Sequence, residues 1–424
     1  MGKNFRSTSK NFLEILGPGL ITGASDDDPS GIATYSQAGA QFGFRMLWTL
    51  GFTFPLMLSV QVISARIGRI TGCGISANIV KHYNKFTIYV LLIFLIAANT
   101  LNLGADIGAM GEALRLIVGG PALLYATLLT LLSVLLQIFL PYRKYVSILR
   151  WLTLVLFSYV ATLFTVHVPW VKVLKSSVVP SFSPDRHFFT TLIAVFGTTI
   201  SPYLFFWQAS QEVEEEKNSS EKRPLKKAPK QAPAEFYRIK LDTAIGMAFS
   251  NFVAFAIMLA TAVTLHANGI VDIDSAAQAA EALRPAAGNL AFLLFTFGIL
   301  GTGLLALPIL AGSTAYAVGE LFGWEVGLDK KPSEAKGFYA VVSLGFLLGL
   351  GFNLLHFNPI KALYWSAVLN GIAAVPIMVM MMLLSSNKKV VGDFVLSPRL
   401  KFMGWLTTVA MAISVFGMFL SYFF

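Results

Sequence analysis

The sequence predicts an all-α polytopic membrane protein of about eleven transmembrane helices, the first and the sixth of them broken, and three observations predict it. The chain is 55% hydrophobic and only 13% charged, whereas a soluble domain carries about 25% charged residues. Its apolar runs are continuous and reach the roughly 20 residues that a helix needs to cross a bilayer. A membrane barrel would instead show short alternating strands. Finally, two of the runs carry a proline-centred polar interruption at or near their middle.

Taken in order, the spans are expected at residues 12–42 (broken), 46–68, 86–109, 121–141, 149–168, 188–209 (broken), 241–265, 288–317, 337–356, 362–384 and 402–423. An N-terminus on the inner side puts 25 of the 32 lysines and arginines on inner segments and 7 on outer ones. That bias is the positive-inside pattern. It predicts a multi-pass protein of the cell membrane with a cytoplasmic N-terminus and an extracellular C-terminus. The net charge of +10 is then a topology signal, and no nucleic-acid partner is expected. The organisation is a cytoplasmic N-terminus (1–11), a core over 12–384 with helices 1–5 in 12–168 and helices 6–10 in 188–384, and a loop with helix 11 over 385–424. The polar segment 211–240, mixed Glu and Lys with Pro224, Pro229 and Pro233, reads as a disordered cytoplasmic linker.

Composition also excludes. The single cysteine, Cys73, rules out a disulfide framework or a cysteine metal cluster, and the five histidines are scattered. No cleavable signal pattern precedes the first span. No nucleophile with its base appears, so an enzyme is not expected, nor is a resident cofactor. Beyond the lipid bilayer, no obligatory protein partner is inferred.

The first span holds Asp26, Asp27 and Asp28 and then breaks at Pro29-Ser30-Gly31. A carboxylate at membrane depth costs about 2.5 to 3.5 kcal/mol even on the lenient insertion scale. The sixth span carries Gly197-Thr198-Thr199-Ile200-Ser201-Pro202-Tyr203 at its middle. Proline removes a helical hydrogen bond, and unwound backbone survives in lipid only where it lines a cavity or meets an ion. Each break has a purely structural account, a capped helix restart at Asp28-Pro29 and an ordinary kink at Ser201-Pro202. Together, in equivalent places of two five-helix halves, they match inverted-repeat transporters. The donors are the Asp28 carboxylate, carbonyls near Ser25, the Thr198 carbonyl and the hydroxyls of Thr198, Thr199 and Ser201. Such hard oxygens favour magnesium, manganese or calcium over zinc or copper. One carboxylate with neutral oxygens and retained water suits magnesium.

These residues resemble the natural-resistance-associated macrophage protein (NRAMP) family of divalent metal transporters. The resemblance rests on Gly17-Pro18-Gly19, the Asp28-Pro29 break, the sixth-span break, Leu241-Asp242-Thr243-Ala244 and the eleven spans. It implies a leucine-transporter-type fold of two inverted five-helix repeats. Asp28 stands at the family's aspartate, Gly31 at its asparagine, Ser201 at its methionine and Tyr203 at its histidine. Asp106 matches the first member of a third-span acidic pair, but Ala109 replaces the second, and the ninth-span arginines are absent. These departures resemble the NRAMP-related magnesium transporter branch. The implied site is Asp28, Ser25, Gly31, Thr198 and Ser201, with Asp26, Asp27, Tyr203, Asn370 and Asp106 farther out. Asp26 and Asp27 read as an acidic lure or supporting pair, and Asn370 equally as an interhelical hydrogen bond. Glu112 and Arg115 suit a local pair. The expected activity is import of magnesium, with manganese as second substrate, by alternating access without proton coupling. Alternatives are a proton-coupled manganese or iron symporter and a sodium-coupled organic-solute symporter on the same fold.

Overall fold

The computed structural model describes residues 18–139, 151–183, 185–355 and 357–421. Gly17, the cytoplasmic N-terminus 1–11 and the basic residues Arg143, Lys144 and Arg150 lie outside the described residues. Every regular element among the described residues is helical. The principal helices are α1 (Pro18–Asp26), α2 (Pro29–Phe42), α3 (Leu47–Thr71), α4 (Ile75–His82), α5 (Lys85–Val118), α6 (Ala122–Phe139), α7 (Phe157–Thr165) and α8 (Trp170–Val178). They continue with α9 (Arg186–Thr199), α10 (Pro202–Lys217), α11 (Ala232–Thr264), α12 (Ala291–Phe322), α13 (Lys336–Asn353), α14 (Pro359–Ser386) and α15 (Pro398–Leu420).

Nine helical stretches among the described residues are long and apolar enough to cross a membrane. One of them, Pro29–Thr71, is α2 and α3 run together through the 3-10 turn Gly43–Met46. Counting it as two and adding the shorter apolar helix Leu154–Thr165 accounts for the eleven expected spans. The third expected span, α5, differs in length. It runs on to Val118, past the 109 expected, because Gly108 to Leu116 continue a helix-compatible sequence until Gly119 caps it with φ 73°.

Both breaks follow from local chemistry. Asp28 has an extended backbone (ψ 172°), its carboxylate accepts from the Gly31 N–H, and Pro29 fills the first position of α2, where its missing N–H costs nothing. On the other side, α9 stops at Thr199, Ile200 leaves helical geometry (ψ 59°), and Pro202 opens α10. Small residues let the broken helices seat deeply. Gly23 of α1 lies on Gly246 of α11, and Gly197 of α9 on Gly371 of α14, so closely that a Cβ at either would overlap the facing backbone.

Loops sort to two ends. Arg45 meets Ser181, Gln37 meets Asp272, and Lys361 meets Asp274 at one end. The opposite end gathers Arg69, Glu216, Glu235, Lys226 and Val390. That second end corrects the reading of 211–240 as a disordered linker. α10 continues to Lys217 and α11 begins at Ala232, and the turn between them donates from Leu225 and Lys226 N–H to the Arg69 and Ile70 carbonyls, each at 3.2 Å. Arg69, 1% exposed, pairs with Glu216 at 3.2 Å and Glu235 at 3.0 Å, and Arg238 pairs with buried Glu212. Mixed charge in sequence is the same whether it is solvated or ion-paired across helices, so composition alone missed this order.

Candidate metal site

The two breaks cross one another. The Tyr203 hydroxyl of α10 reaches Asp28 Oδ2 at 3.3 Å and lies 3.4 Å from the Ser25 carbonyl. A Cβ on Gly31 would lie 3.3 Å from Thr198 Oγ1. Asp28 is therefore the hub. Oδ1 accepts from Ser30 Oγ at 2.6 Å and from Gly31 N at 2.8 Å. Oδ2 accepts from Asn102 Nδ2 of α5 at 3.0 Å as well as from Tyr203. Asn102 in turn accepts from Ser366 Oγ of α14 at 2.7 Å. Groups from α2, α5 and α10 thus converge on one carboxylate that is 1% exposed, with α14 behind Asn102.

The remaining expected residues fall around this hub in different ways. Ser201 is buried, and its hydroxyl donates to the Gly197 and Thr198 carbonyls at 2.7 and 2.9 Å. Its oxygen lone pairs, like the second lone pair of the Thr198 carbonyl, stay open for a cation. The Thr199 hydroxyl turns back to the Val195 and Phe196 carbonyls. Asp26 and Asp27 are not displayed toward solvent as a lure: both are buried, and Ser250 of α11 lies 2.6 Å from Asp26 Oδ2 and 3.2 Å from Asp27 Oδ1. Asp106 and Asn370 are fully buried; Asp106 lies against the Ser30 backbone N–H, while the Asn370 side chain has no hydrogen-bond partner among the described residues, so the interhelical hydrogen bond considered for it is not made. Glu112 does pair with Arg115, at 3.3 Å.

Sequence reasoning missed Asn102, Ser366 and Ser250. A signal for the first was present, since Asn99, Asn102 and Asp106 recur at three- and four-residue steps on an otherwise apolar helix, which places them on one face. Asp242, used above only as part of a motif, also has a physical task. Its Oδ2 accepts from the Gly19 N–H at 2.7 Å, which satisfies an orphan donor at the start of α1. Among the described residues no group of three or more His, Cys, Asp or Glu side chains is placed to hold a metal ion. Met110, one turn beyond Asp106, sets its thioether against Gly303 of α12, beside Pro29.

Asp28 itself is shut off from solvent, at 1% exposed. A cavity of about 600 Å³ opens at the Lys361 end, lined by Arg186, His187 and Lys361 as well as by Asp272, Asp274 and Gln37, with Gln41, Tyr364 and Ala33 of α2 also in its wall. Ala33 lies five residues beyond Asp28, about 7.5 Å along the helix. Tyr364 hydrogen-bonds Thr191 at 2.8 Å and Thr191 donates to Gln41 Oε1 at 3.2 Å, which joins α14, α9 and α2 across the floor of the cavity. Toward the other end, buried Trp207 packs edge-on to Tyr316, with ring centres 5.9 Å apart, and the Tyr316 hydroxyl donates to Glu214 at 2.7 Å.

A family model described as natural resistance-associated macrophage protein-like matches residues 19–421. The chain is also similar in structure to a manganese transporter of Eremococcus coleocola, with a TM-score of 0.76 at 16% identity over 98% of this chain and 87% of that one. MhsT, solved in complex with L-phenylalanine, gives a TM-score of 0.65 at 14% identity, covering 95% of this chain and 98% of its own. Mhp1, a nucleobase-cation-symport-1 family transporter, gives 0.51 at 15% identity, covering 96% and 92%. At these identities the likeness is one of fold, the leucine-transporter-type arrangement of two broken helices within a helical bundle.

Proposed function

Because the chain belongs to the natural resistance-associated macrophage protein-like family, we propose that it imports a divalent cation across the cell membrane, magnesium first and manganese second, as a partly hydrated ion held at Asp28. The observation that carries this is the donor set where the two broken helices cross. Asp28 is the one carboxylate there, with Tyr203 bridging to the Ser25 carbonyl and Thr198 Oγ1 beside Gly31; on this reading the Thr198 carbonyl and the Ser201 hydroxyl complete the donor set around retained water. Magnesium is bound through one or two carboxylates while keeping several waters, and hard oxygens select it over softer metals. The outer cavity supports the same reading. Six waters at about 30 Å³ each occupy about 180 Å³, well within its roughly 600 Å³.

Transport needs two local releases. At the outer end the Tyr364–Thr191–Gln41 chain opens to admit the ion, which displaces the Tyr203 and Asn102 donors from Asp28 Oδ2. At the inner end α10 swings Trp207 off Tyr316 to let the ion leave. The membrane potential is worth about 2.3 kcal/mol per charge per 100 mV, so about 4.6 for a divalent ion, and uptake follows it without a proton. Purified protein in liposomes, carrying a magnesium dye and a pH dye together, tests this. The expected result is magnesium entry without acidification, absent in Asp28→Ala. Entry with stoichiometric acidification contradicts the uncoupled step, and full uptake by Asp28→Ala contradicts the site.

A second reading is a proton-coupled manganese or iron symporter. Asp106, fully buried beside the Ser30 backbone N–H and without an ion pair among the described residues, is the observation that favours it. In the same assay it requires acidification that disappears in Asp106→Asn.

A further inference from the structure

At the Arg69 end of the molecule, one carboxylate joins three helices. α4 starts after Gly74 with no side chain of its own as a cap, so its first N–H groups are orphans. Glu320, in the last turn of α12, supplies an acceptor from outside. Its Oε2 takes the Ala77 N–H at 3.3 Å, and its Oε1 takes the Ser210 hydroxyl of α10 at 2.9 Å. A carboxylate suits that place, because a helix N-terminus favours negative charge. Gly74 has to be small there, since a Cβ would overlap the Glu320 carboxylate.

The α10 arm of this joint lies on the face that reaches the ion site. Tyr203, Trp207, Ser210 and Glu214 recur at steps of four, three and four, so they share one side of the helix. Tyr203 touches Asp28, and Ser210 follows it by seven residues, about 10.5 Å along the helix. Tyr316 of α12 holds the same stretch, accepting from Gln211 Nε2 at 3.0 Å and donating to Glu214 at 2.7 Å. Those two bonds tie α10 to α12 alone, whereas Glu320 adds α4. Beside them lies a cavity of about 320 Å³, walled by Ser210 and Glu214, by Tyr316 and Glu320, and by Cys73 and Gly74 at the start of α4.

We propose that Glu320 is the positioning residue of the inner gate: its carboxylate holds α10 and α4 against α12, and the ion leaves when the Ser210 arm lets go. Its place in transport rests on the proposed exit step, in which α10 carries Trp207 off Tyr316. A hydrogen bond to a charged acceptor is stronger than one between neutral groups, so a single hydroxyl weights the closed arrangement. It is still one bond, which a transport cycle can break and remake.

Cys73, the only cysteine of the chain, shares the cavity with α10 and serves as a built-in reporter. The rate at which N-ethylmaleimide adds to Cys73 in the full-length protein, in neutral detergent, tests the proposal. Ser210→Ala removes the α10 arm and leaves Glu320 on α4. Cys73 should then react about tenfold faster, the change in an opening equilibrium that follows from losing one hydrogen bond to a charged group. Glu320→Ala should react at least as fast, and Glu320→Gln, which keeps one acceptor oxygen, should fall between Glu320→Ala and wild type. Lys331→Gln, an exposed charge between α12 and α13, should react as wild type does. Ser210→Ala is a mild change, so the test stands even if Glu320→Ala disturbs folding. If Glu320 only caps α4, Glu320→Ala reacts faster while Ser210→Ala matches wild type, and the proposal is overturned. An unchanged rate in Glu320→Ala overturns it as well. Thiol reactivity reads the gate whichever ion is carried, so a wild-type protein that fails to take up magnesium in liposomes contradicts the proposed substrate and leaves this result standing.

Discussion

At the scale of single residues, Asp28 carries the electrostatics. A divalent ion about 4 Å from one carboxylate gains on the order of 8 kcal/mol at an effective dielectric of 20, and among the described residues no group of three or more His, Cys, Asp or Glu side chains is placed to share it. Asp28→Asn keeps the cap on α2 but removes that attraction, so magnesium affinity by calorimetry should fall more than about 100-fold, or some 2.7 kcal/mol. On the proposed function, selectivity falls to Ser201. Ser201→Met supplies a soft thioether, and cadmium should then bind at least about tenfold tighter while magnesium binds no better. Met110→Leu serves as the control for sulfur already near Pro29. Unchanged cadmium affinity in Ser201→Met would show that position 201 does not face the ion.

At the scale of elements, the prolines and the aspartate cap were legible in sequence because helix breaking is local chemistry. Asp28-Pro29 and Ser201-Pro202 break their helices where they were expected to. Asn102, Ser366 and Ser250 were not legible as partners, because Asn102 reaches Asp28, Ser366 reaches Asn102 and Ser250 reaches Asp26 only through the packing of α5, α14 and α11 around the broken helices. The ordered turn between α10 and α11 was hidden for the same reason, since its charges find partners 147 and 166 residues away along the chain. That network makes its own prediction. Removing one partner of a buried ion pair costs about 3 to 5 kcal/mol, so Arg69→Ala should lower the thermal midpoint in detergent markedly, whereas Lys331→Gln should not move it. A midpoint unchanged by Arg69→Ala would mean that the network adds nothing to stability.

For the whole molecule, the lysine and arginine bias predicts one orientation in the membrane. In a Cys73→Ser background, which removes the only native cysteine, Asp272→Cys should react with an impermeant thiol reagent from outside intact cells. Lys331→Cys should react only after the membrane is opened, and the reverse pattern would invert the topology. The central claim is that a hydrated divalent ion sits where the two broken helices cross. Crystals grown with manganese test it most directly by anomalous scattering, repeated with a large excess of magnesium. The account predicts one peak within coordination distance of Asp28, about 2.1 Å for a direct ligand, that fades as magnesium replaces manganese. A peak elsewhere, or one that magnesium leaves untouched, would contradict it.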